Sequence, residues 1–489
     1  MYLGIDIGTS SIKVVLIDRD QSILVELSEA LTIENKKSLY SEQNPEDWYI
    51  ALVKIFSILK RDYIDNLAML KSIGITGQMH GAVCLDSKGN VIRPAILWND
   101  GRSFQECVDL MAKNHEFELI GGNKVMPGFT APKLLWMERN ERDNFKKIDK
   151  VLLPKDYIRY RITGEFATDM SDASGTLWLN IKDRCWSNSL LASCGLQEKN
   201  MPYLYEGTDC SGYLLKDIKK LLGISHDVKV IAGASDNAAG ALSMGVYEAG
   251  RGMISLGTSG VYFTPTKSYV ANPNQGVHTF CHAIPNTWHY MGVILSAASA
   301  LSWWKNIANI NTEKDLIDVA KKYNSDYMPI FLPYLSGERT PHNDPFAKSS
   351  FIGMTHATGS SELAQAVLEG ISYAIVDCEH AISATGVSIT DVSVIGGGSK
   401  SLYWGGIISS LLNRNLMYHN ESSVGPAFGA ARLALYEDCS YTLEQVFQRP
   451  IVSNIITPER SLSLELNNRL NIYRDTYQQL SKVFKKIGV

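Results

Sequence analysis

The sequence predicts an α/β protein built from two related halves that face each other across a cleft, and three observations carry that reading. A phrase occurs twice, as Ile5-Asp6-Ile7-Gly8-Thr9-Ser10 and, altered, as Ile254-Ser255-Leu256-Gly257-Thr258-Ser259. Each copy is an apolar strand entering a Gly-Thr-Ser turn and leaving through β-branched or aromatic sequence (Ile12, Val14, Val15; Val261, Phe263), the pattern of a hairpin with a polar tip. At 489 residues the chain is too long for one ordinary hydrophobic core, so two large domains are expected. Finally, each half repeats a strand that runs into a glycine-containing polar loop: Ser72-Ile73-Gly74-Ile75 into Thr76 to Gly81, and Val392-Ser393-Val394-Ile395 into Gly396 to Ser401.

The two tips differ in one position that matters chemically. Glycine lets a backbone come close, and successive main-chain N–H groups with Thr and Ser hydroxyls can surround phosphate oxygens. Where the first copy has Asp6, the second has Ser255. A carboxylate beside one loop suits Mg²⁺, which takes oxygen ligands and keeps several waters, while its absence from the other suits direct phosphate contact. A nucleotide clamped between duplicated domains is the expected arrangement.

Composition narrows the class of partner. The chain is 45% hydrophobic and 20% charged, and its formal net charge of -4 comes from 47 basic and 51 acidic residues without a long block of one sign. Nothing in that balance advertises nucleic acid or an anionic membrane, and small-molecule work is favoured. Eight cysteines at 84, 107, 185, 194, 210, 281, 378 and 439 include no Cys-x-x-Cys pair, as expected for reduced thiols. The sequence opens on a strand rather than a signal-like stretch, and no apolar run reaches membrane-spanning length, so a cytoplasmic protein is expected.

Local signals place the motifs on elements. A helix is expected from Asn44-Pro45-Glu46-Asp47: Asn caps, Pro fits the first helical position, acids suit the first turn, and Leu52, Ile55, Phe56 and Leu59 share a face. Gln78 and His80 follow a strand end, where α/β proteins place ligand contacts. Gly396-Gly397-Gly398-Ser399-Lys400-Ser401 joins a strand to a helix and can hold a nucleotide by its edge. The stretch from Gly240 to Gly250-Arg251-Gly252 reads as the domain junction and a hinge.

Many short motifs then follow one another in a fixed order: Gly77-Gln78-Met79-His80-Gly81, Leu97-Trp98-Asn99-Asp100-Gly101-Arg102, Met126 to Lys133, Leu153-Pro154-Lys155-Asp156-Tyr157, Ser235-Asp236-Asn237-Ala238-Ala239-Gly240, Pro333 to Pro341, and Gly396-Gly397-Gly398. In this order, over nearly the whole chain, the sequence resembles the FGGY family of carbohydrate kinases, and within it the members acting on xylulose. The resemblance implies duplicated actin-like, ribonuclease-H-like domains with an interdomain catalytic cleft, residues 1–245 carrying the sugar side, first phosphate loop and base, and residues 246–489 the second phosphate loop and adenosine side. It implies transfer of the γ-phosphoryl group of ATP to the 5-hydroxyl of D-xylulose, with Mg²⁺. Partners are then sugar and ATP, without nucleic acid or membrane; a homodimer is left open. The rival within the family is a kinase for another pentulose, polyol or sugar acid. A rival of another class is a nucleotide-switched chaperone or filament protein of actin-like fold, which would turn over ATP without needing sugar.

By that resemblance Asp236 is the general base, and Asp6 faces the Mg²⁺–ATP phosphates through water, while Gly8, Thr9, Ser10 and Lys13 form the first phosphate loop. Gly257 and Thr258 form the second, and Gly397, Gly398 and Ser401 take the adenosine side. Met79, His80, Asp236 and Asn237 contact the sugar, whose recognition needs several donors and acceptors. Each assignment has a plainer counterpart. Asp236 could cap a helix, Asp6 could sit in a structural ion pair, Lys13 could be a solvated strand residue, and the glycine loops could be tight turns. Asn99, Asp100 and Arg102 are further sugar-side candidates or a hydrogen-bonded scaffold; Trp303 suits core packing better than nucleotide contact. His278, Cys281, His282 and His289 are close enough in sequence to suggest zinc, but a strand would point neighbours to opposite faces.

Overall fold

The computed structural model describes residues 1–34, 37, 39–324, 328–419, 425–438 and 440–487. Its first half is built on β1 (Tyr2–Ile7), β2 (Ser11–Ile17) and β3 (Ile23–Ala30), an antiparallel meander made by short turns. To it the chain adds β4 (Ser72–Gly77) parallel to β1, then the edge strand β5 (Cys210–Tyr213) and β6 (Lys229–Ser235), which lies parallel to β4. The strand order is β5-β6-β4-β1-β2-β3.

The second half repeats the plan with β7 (Arg251–Leu256), β8 (Gly260–Thr266), β9 (His278–Cys281), β10 (Trp288–Ile294), β11 (Asp391–Ile395), β12 (Leu416–His419) and β13 (Val452–Ile456). Here the order is β9-β10-β8-β7-β11-β12-β13. The shared module is β3-β2-β1-β4-β6 against β10-β8-β7-β11-β12: three antiparallel strands followed by two parallel ones reached through crossovers. Parallel strands need long crossovers, and these carry the helices that cover the sheets. Two copies of this module make the duplicated ribonuclease-H-like, actin-like fold expected from the sequence.

The helices that matter for the cleft are α1 (Pro45–Asp62), α2 (Thr130–Asn140), α3 (Pro154–Thr163), α4 (Met170–Ser174), α5 (Asp236–Ser243), α6 (Ala298–Ile307), α7 (Ser360–Ser383), α8 (Leu402–Leu412), α9 (Pro426–Asp438) and α10 (Arg460–Ile487). α1 starts as its sequence predicts: Asn44 accepts from the Glu46 N–H, Pro45 takes the first position, and Trp48, Leu52, Ile55, Phe56 and Leu59 are buried. α7 is buried over most of its length and runs through the core of the second half.

The halves meet through two helices of small residues. α9 lies on β1 and β4, where a Cβ at Gly4 would stand 1.8 Å from the Ala427 carbonyl oxygen and one at Gly74 would stand 1.9 Å from that of Ala430. α5 and α9 touch in the same way, with Gly429 against the Ala239 carbonyl. Ala238, Ala239, Ala427, Phe428, Ala431 and Leu435 form a shared core with Tyr2, Val15 and Ile231. Sequence from beyond β12 therefore completes the packing of the first sheet, and α5 is fixed on both sides. No helix among the described residues is long and apolar enough to cross a membrane.

Candidate active site

Asp236 owes its position to an interruption in β6. Pairing with β4 keeps register to Ile231 and shifts before Ala234; between them Gly233 adopts φ 79°, with the Ile75 carbonyl oxygen 1.8 Å from where a Cβ would sit. A bulge re-aims the strand end, and the next turn delivers Asp236 as the first residue of α5, the favourable end of the helix for a negative charge. Ser235 is the capping residue by position but makes no side-chain cap bond. Asp236 Oδ1 accepts from the Asn237 N–H at 2.7 Å and from Asn237 Nδ2 at 2.9 Å. Burial nevertheless pushes its carboxyl up to about 6, against the lowering effect of those two bonds.

Asp6 is 8% exposed, and its Oδ1 is buried without a hydrogen-bond partner. Burial, then the negative charge of Asp236, pushes it up to about 7; Lys13 pulls it down. Lys13 is its cross-strand partner and so shares its face of the sheet, exposed at the tip. The structure thus sets two carboxylates against each other with one cation beside them. An orphaned, buried carboxylate oxygen facing a second carboxylate is a donor set that a hard divalent cation with water ligands would satisfy. Among the described residues no three His, Cys, Asp or Glu side chains converge on a metal-sized point, so an ion here would draw its remaining oxygens from phosphate and water.

A cavity of about 580 Å³ opens beside Asp236 and is walled by Asp236 and Asn237 on one side and Ser255, Gly397, Ser399 and Lys400 on the other. A second, of about 820 Å³, shares Gly397 and Lys400 and extends between Ser302 on α6 and Gly398, Ser401 and Tyr403 at the start of α8. Ser401 caps α8, its hydroxyl accepting from the Trp404 N–H. Gly8, Thr9 and Ser10 at the first hairpin tip, Lys13 on β2, and Gly257 and Thr258 at the second tip are not among the walls of these two cavities. The Gly257 and Thr258 carbonyls accept from the N–H groups of Ala298 and Ala297, at 2.9 and 3.0 Å, so the second tip anchors the start of α6.

The sugar-side candidates lie past the end of β4. Met79 is buried, and His80 is half-buried with φ 70°. His80 Nδ1–H donates to the Gly175 carbonyl at 2.7 Å, and the ring packs edge-on against Phe129. Burial pushes His80 down to about 3, so the imidazole is neutral at ordinary pH. Asp100 and Arg102 form the scaffold: Asp100 takes two bonds from the Arg102 guanidinium and one from the Ser41 N–H, while Arg102 also pairs with Glu42 and lies over the Tyr40 ring. Asn99 is exposed. Trp303 stacks on Phe331 at the edge of the second core. The four residues weighed for zinc have separate partners: His278 meets Asn123, His282 meets the Val246 carbonyl, His289 stacks on Phe263, and the Cys281 thiol donates to the Ile181 carbonyl.

Two residues with no role assigned from sequence emerge here. Trp98 is 45% exposed yet held in place, its indole N–H donating to Thr9 Oγ1, which in turn donates to Gln78 Oε1. An exposed tryptophan tied to the first loop is a flat apolar face for a carbon chain; a lone Trp in a loop carries no such signal. Lys400 is exposed and borders both cavities, and only its place in the glycine run could have pointed to it.

Two duplicated lobes, with a helix-start carboxylate and a glycine run on facing walls of one cavity, have the architecture of a two-lobed phosphotransferase. Residues 1–243 match the N-terminal domain, and residues 252–437 the C-terminal domain, of the FGGY family of carbohydrate kinases. The chain is 45% identical over 482 residues to the xylulose kinase of Escherichia coli K12, covering 98% of this chain and 99% of that one. It is 46% identical over 435 residues to the xylulose kinase of Klebsiella pneumoniae, covering 89% of each. A crystal structure described as a xyloylose kinase from Brucella ovis superposes with a TM-score of 0.96 at 43% identity over 99% of both chains. The chain belongs to the FGGY family of carbohydrate kinases.

Proposed function

We propose that this protein is an ATP-dependent xylulose kinase, transferring the γ-phosphoryl group to the 5-hydroxyl of D-xylulose to give D-xylulose 5-phosphate and ADP. The observation that carries the reading is the placement of Asp236: a carboxylate at the start of a helix, on the wall of a cavity whose other wall is the glycine run Gly397 to Lys400. That placement supports Asp236 as the base that takes the hydroxyl proton while the oxygen attacks phosphorus. Asn237 holds Asp236 and contributes to the sugar contacts, which we complete with Met79 and His80.

For the nucleotide, we assign Gly8, Thr9, Ser10 and Lys13 to one side of the phosphates and Gly257 and Thr258 to the other, with Gly397, Gly398 and Ser401 toward the adenosine. Asp6, through water, fits Mg²⁺, which when bound neutralises phosphate charge and orients the transferred group. We divide the chain at residues 1–245 and 246–489, with α9 crossing back to the first sheet, and expect the lobes to close on sugar and nucleotide together and exclude water. The described cysteines carry free thiols, which supports a reducing, cytoplasmic setting.

A substrate panel tests the reading. ADP formation and sugar phosphate are measured with xylulose, ribulose, gluconate and glycerol. The highest kcat/KM on xylulose with one-to-one stoichiometry is expected; preference for another sugar overturns the substrate, and sugar-independent ATP turnover overturns the kinase.

A further inference from the structure

His80 holds a left-handed backbone conformation, φ 70°, that residues other than glycine adopt only under strain, and such strain persists only where its surroundings impose it. The surroundings are specific. The His80 carbonyl accepts two bonds from the first turn of α2, one from Thr130 Oγ1 at 3.1 Å and one from Lys133 Nζ at 2.9 Å. Lys133 also donates to the Gly128 carbonyl at 2.8 Å. Gly128 in turn packs on the backbone of Trp98: a Cβ on it would stand 2.8 Å from the Trp98 carbonyl oxygen. One ammonium therefore ties the His80 turn to the segment lying against Trp98.

Lys133 is wholly buried, and the acceptors that compensate its burial are neutral main-chain carbonyls. Burial, with the Arg102 charge adding to it, pushes its ammonium down to about 7 against the raising influence of Asp100. A methionine would fill similar space without that desolvation. What lysine adds is a pair of directed donors.

The His80 ring is fixed from the other side. In the neutral imidazole, Nδ1–H given to the Gly175 carbonyl leaves Nε2 as an acceptor. The ring packs directly over the Gly175 backbone, where a Cβ would come within 2.7 Å of His80 Nδ1 and 2.9 Å of Met79 Cε. A hydroxyl donor is the group such a nitrogen selects.

We infer that Lys133, assisted by Thr130, is a positioning residue for sugar recognition, clamping the His80 carbonyl so that the left-handed turn presents Nε2 as an acceptor for a substrate hydroxyl. The inference rests on the proposed contact between His80 and the sugar. It assigns Lys133 no contact with substrate and no part in the phosphoryl transfer.

Steady-state kinetics on the full chain test it, with xylulose and ATP varied separately. Lys133→Met should raise KM for xylulose by about tenfold, as loss of a buried donor to the His80 carbonyl predicts, leaving KM for ATP within about twofold. Because Lys133 acts through His80, the double variant Lys133→Met/His80→Ala should match His80→Ala alone within about twofold in xylulose KM. Independent, multiplying effects of the two substitutions overturn the clamp, as does an equal rise in both KM values. If His80→Ala leaves xylulose KM unchanged, the sugar contact itself fails and the clamp with it. Should Lys133→Met not fold, Thr130→Val takes its place with a rise of about threefold in xylulose KM alone; no change there overturns the inference.

Discussion

Asp6 and Ser255 occupy the same position in the two halves, each the penultimate residue of its first strand and each two residues before the glycine of its tip. Their parallel neighbours correspond as well: Thr76 on β4 and Ile395 on β11, each leading to a glycine. The charge is present on one side only. The tips also differ in closure, Gly8 N–H bonding to the Ser11 carbonyl and Gly257 N–H to that of Ser259, so the first loop is one residue longer. Duplication supplied two loops, and one side chain made them unlike.

That asymmetry predicts the effect of restoring symmetry. Ser255 borders the cavity beside Asp236, so Ser255→Asp would place a third carboxylate where phosphate is expected. Like charges brought together cost enough to weaken nucleotide binding by at least about tenfold. KM for ATP should rise by that factor while KM for xylulose changes little. Unchanged KM for ATP would argue that Ser255 lies away from the phosphates.

Asp6→Asn separates function from stability. With Asp6 as the proposed metal-side residue, the substitution should lower kcat by about 10²-fold or more. Stability should move the other way. Asp6 titrates near 7 in the folded protein and near 3.8 when free, so the folded state binds the extra proton between those values, and the ligand-free protein loses stability as pH rises through that window. Asparagine removes the loss. Thermal unfolding without nucleotide should show the variant more stable than the parent at pH 8, by on the order of 1–3 kcal/mol, and equal to it near pH 4. A variant less stable at pH 8 would mean that Asp6 is held by a partner in the folded state.

The pH dependence of catalysis follows from Asp236. Only its ionised form accepts a proton, and burial pushes the carboxyl up to about 6. kcat/KM for the sugar reports the free enzyme, so it should climb about tenfold per unit below that pH and level off above it. A profile flat from pH 5 to 8 would be incompatible with Asp236 as base.

What the sequence made legible was local. The hairpins were readable because Ile5, Ile7, Ile254 and Leu256 precede glycine tips, and α1 because Asn44 and Pro45 mark its start within a few residues of its apolar face. The bulge at Gly233 was not readable, because the carbonyl that excludes a side chain there belongs to Ile75, far away in sequence. The return of α9 to β1 and β4 is hidden for the same reason: the small residues Ala427, Gly429, Ala430 and Ala431 show no sign of which sheet they cover. Lys133 closes the Met126 to Lys133 motif with nothing in the sequence to show where its side chain goes, and only the fold places it under His80. Chemistry carried by one strand and its turn was visible; chemistry that depends on what packs behind it was not.

The most direct test of the mechanism is Asp236→Asn. Asparagine keeps the size of the side chain and can still accept from the Asn237 N–H, but it cannot take the hydroxyl proton. General-base catalysis contributes about 10² to 10⁴-fold, so xylulose phosphorylation should fall by that range while ATP binding, followed by a fluorescent nucleotide, persists. The helix should be unharmed. Asp236 is the first residue of α5 and Ser235 is its capping position, so any cost is the lost charge at a helix start, about 0.3–1 kcal/mol, set against relief of burying a carboxylate. Thermal unfolding at pH 8 should therefore be equal to or higher than that of the parent. A folded variant that phosphorylates xylulose within about threefold of the parental rate would leave Asp236 a helix-terminal residue only and move the base to another group on the cavity wall.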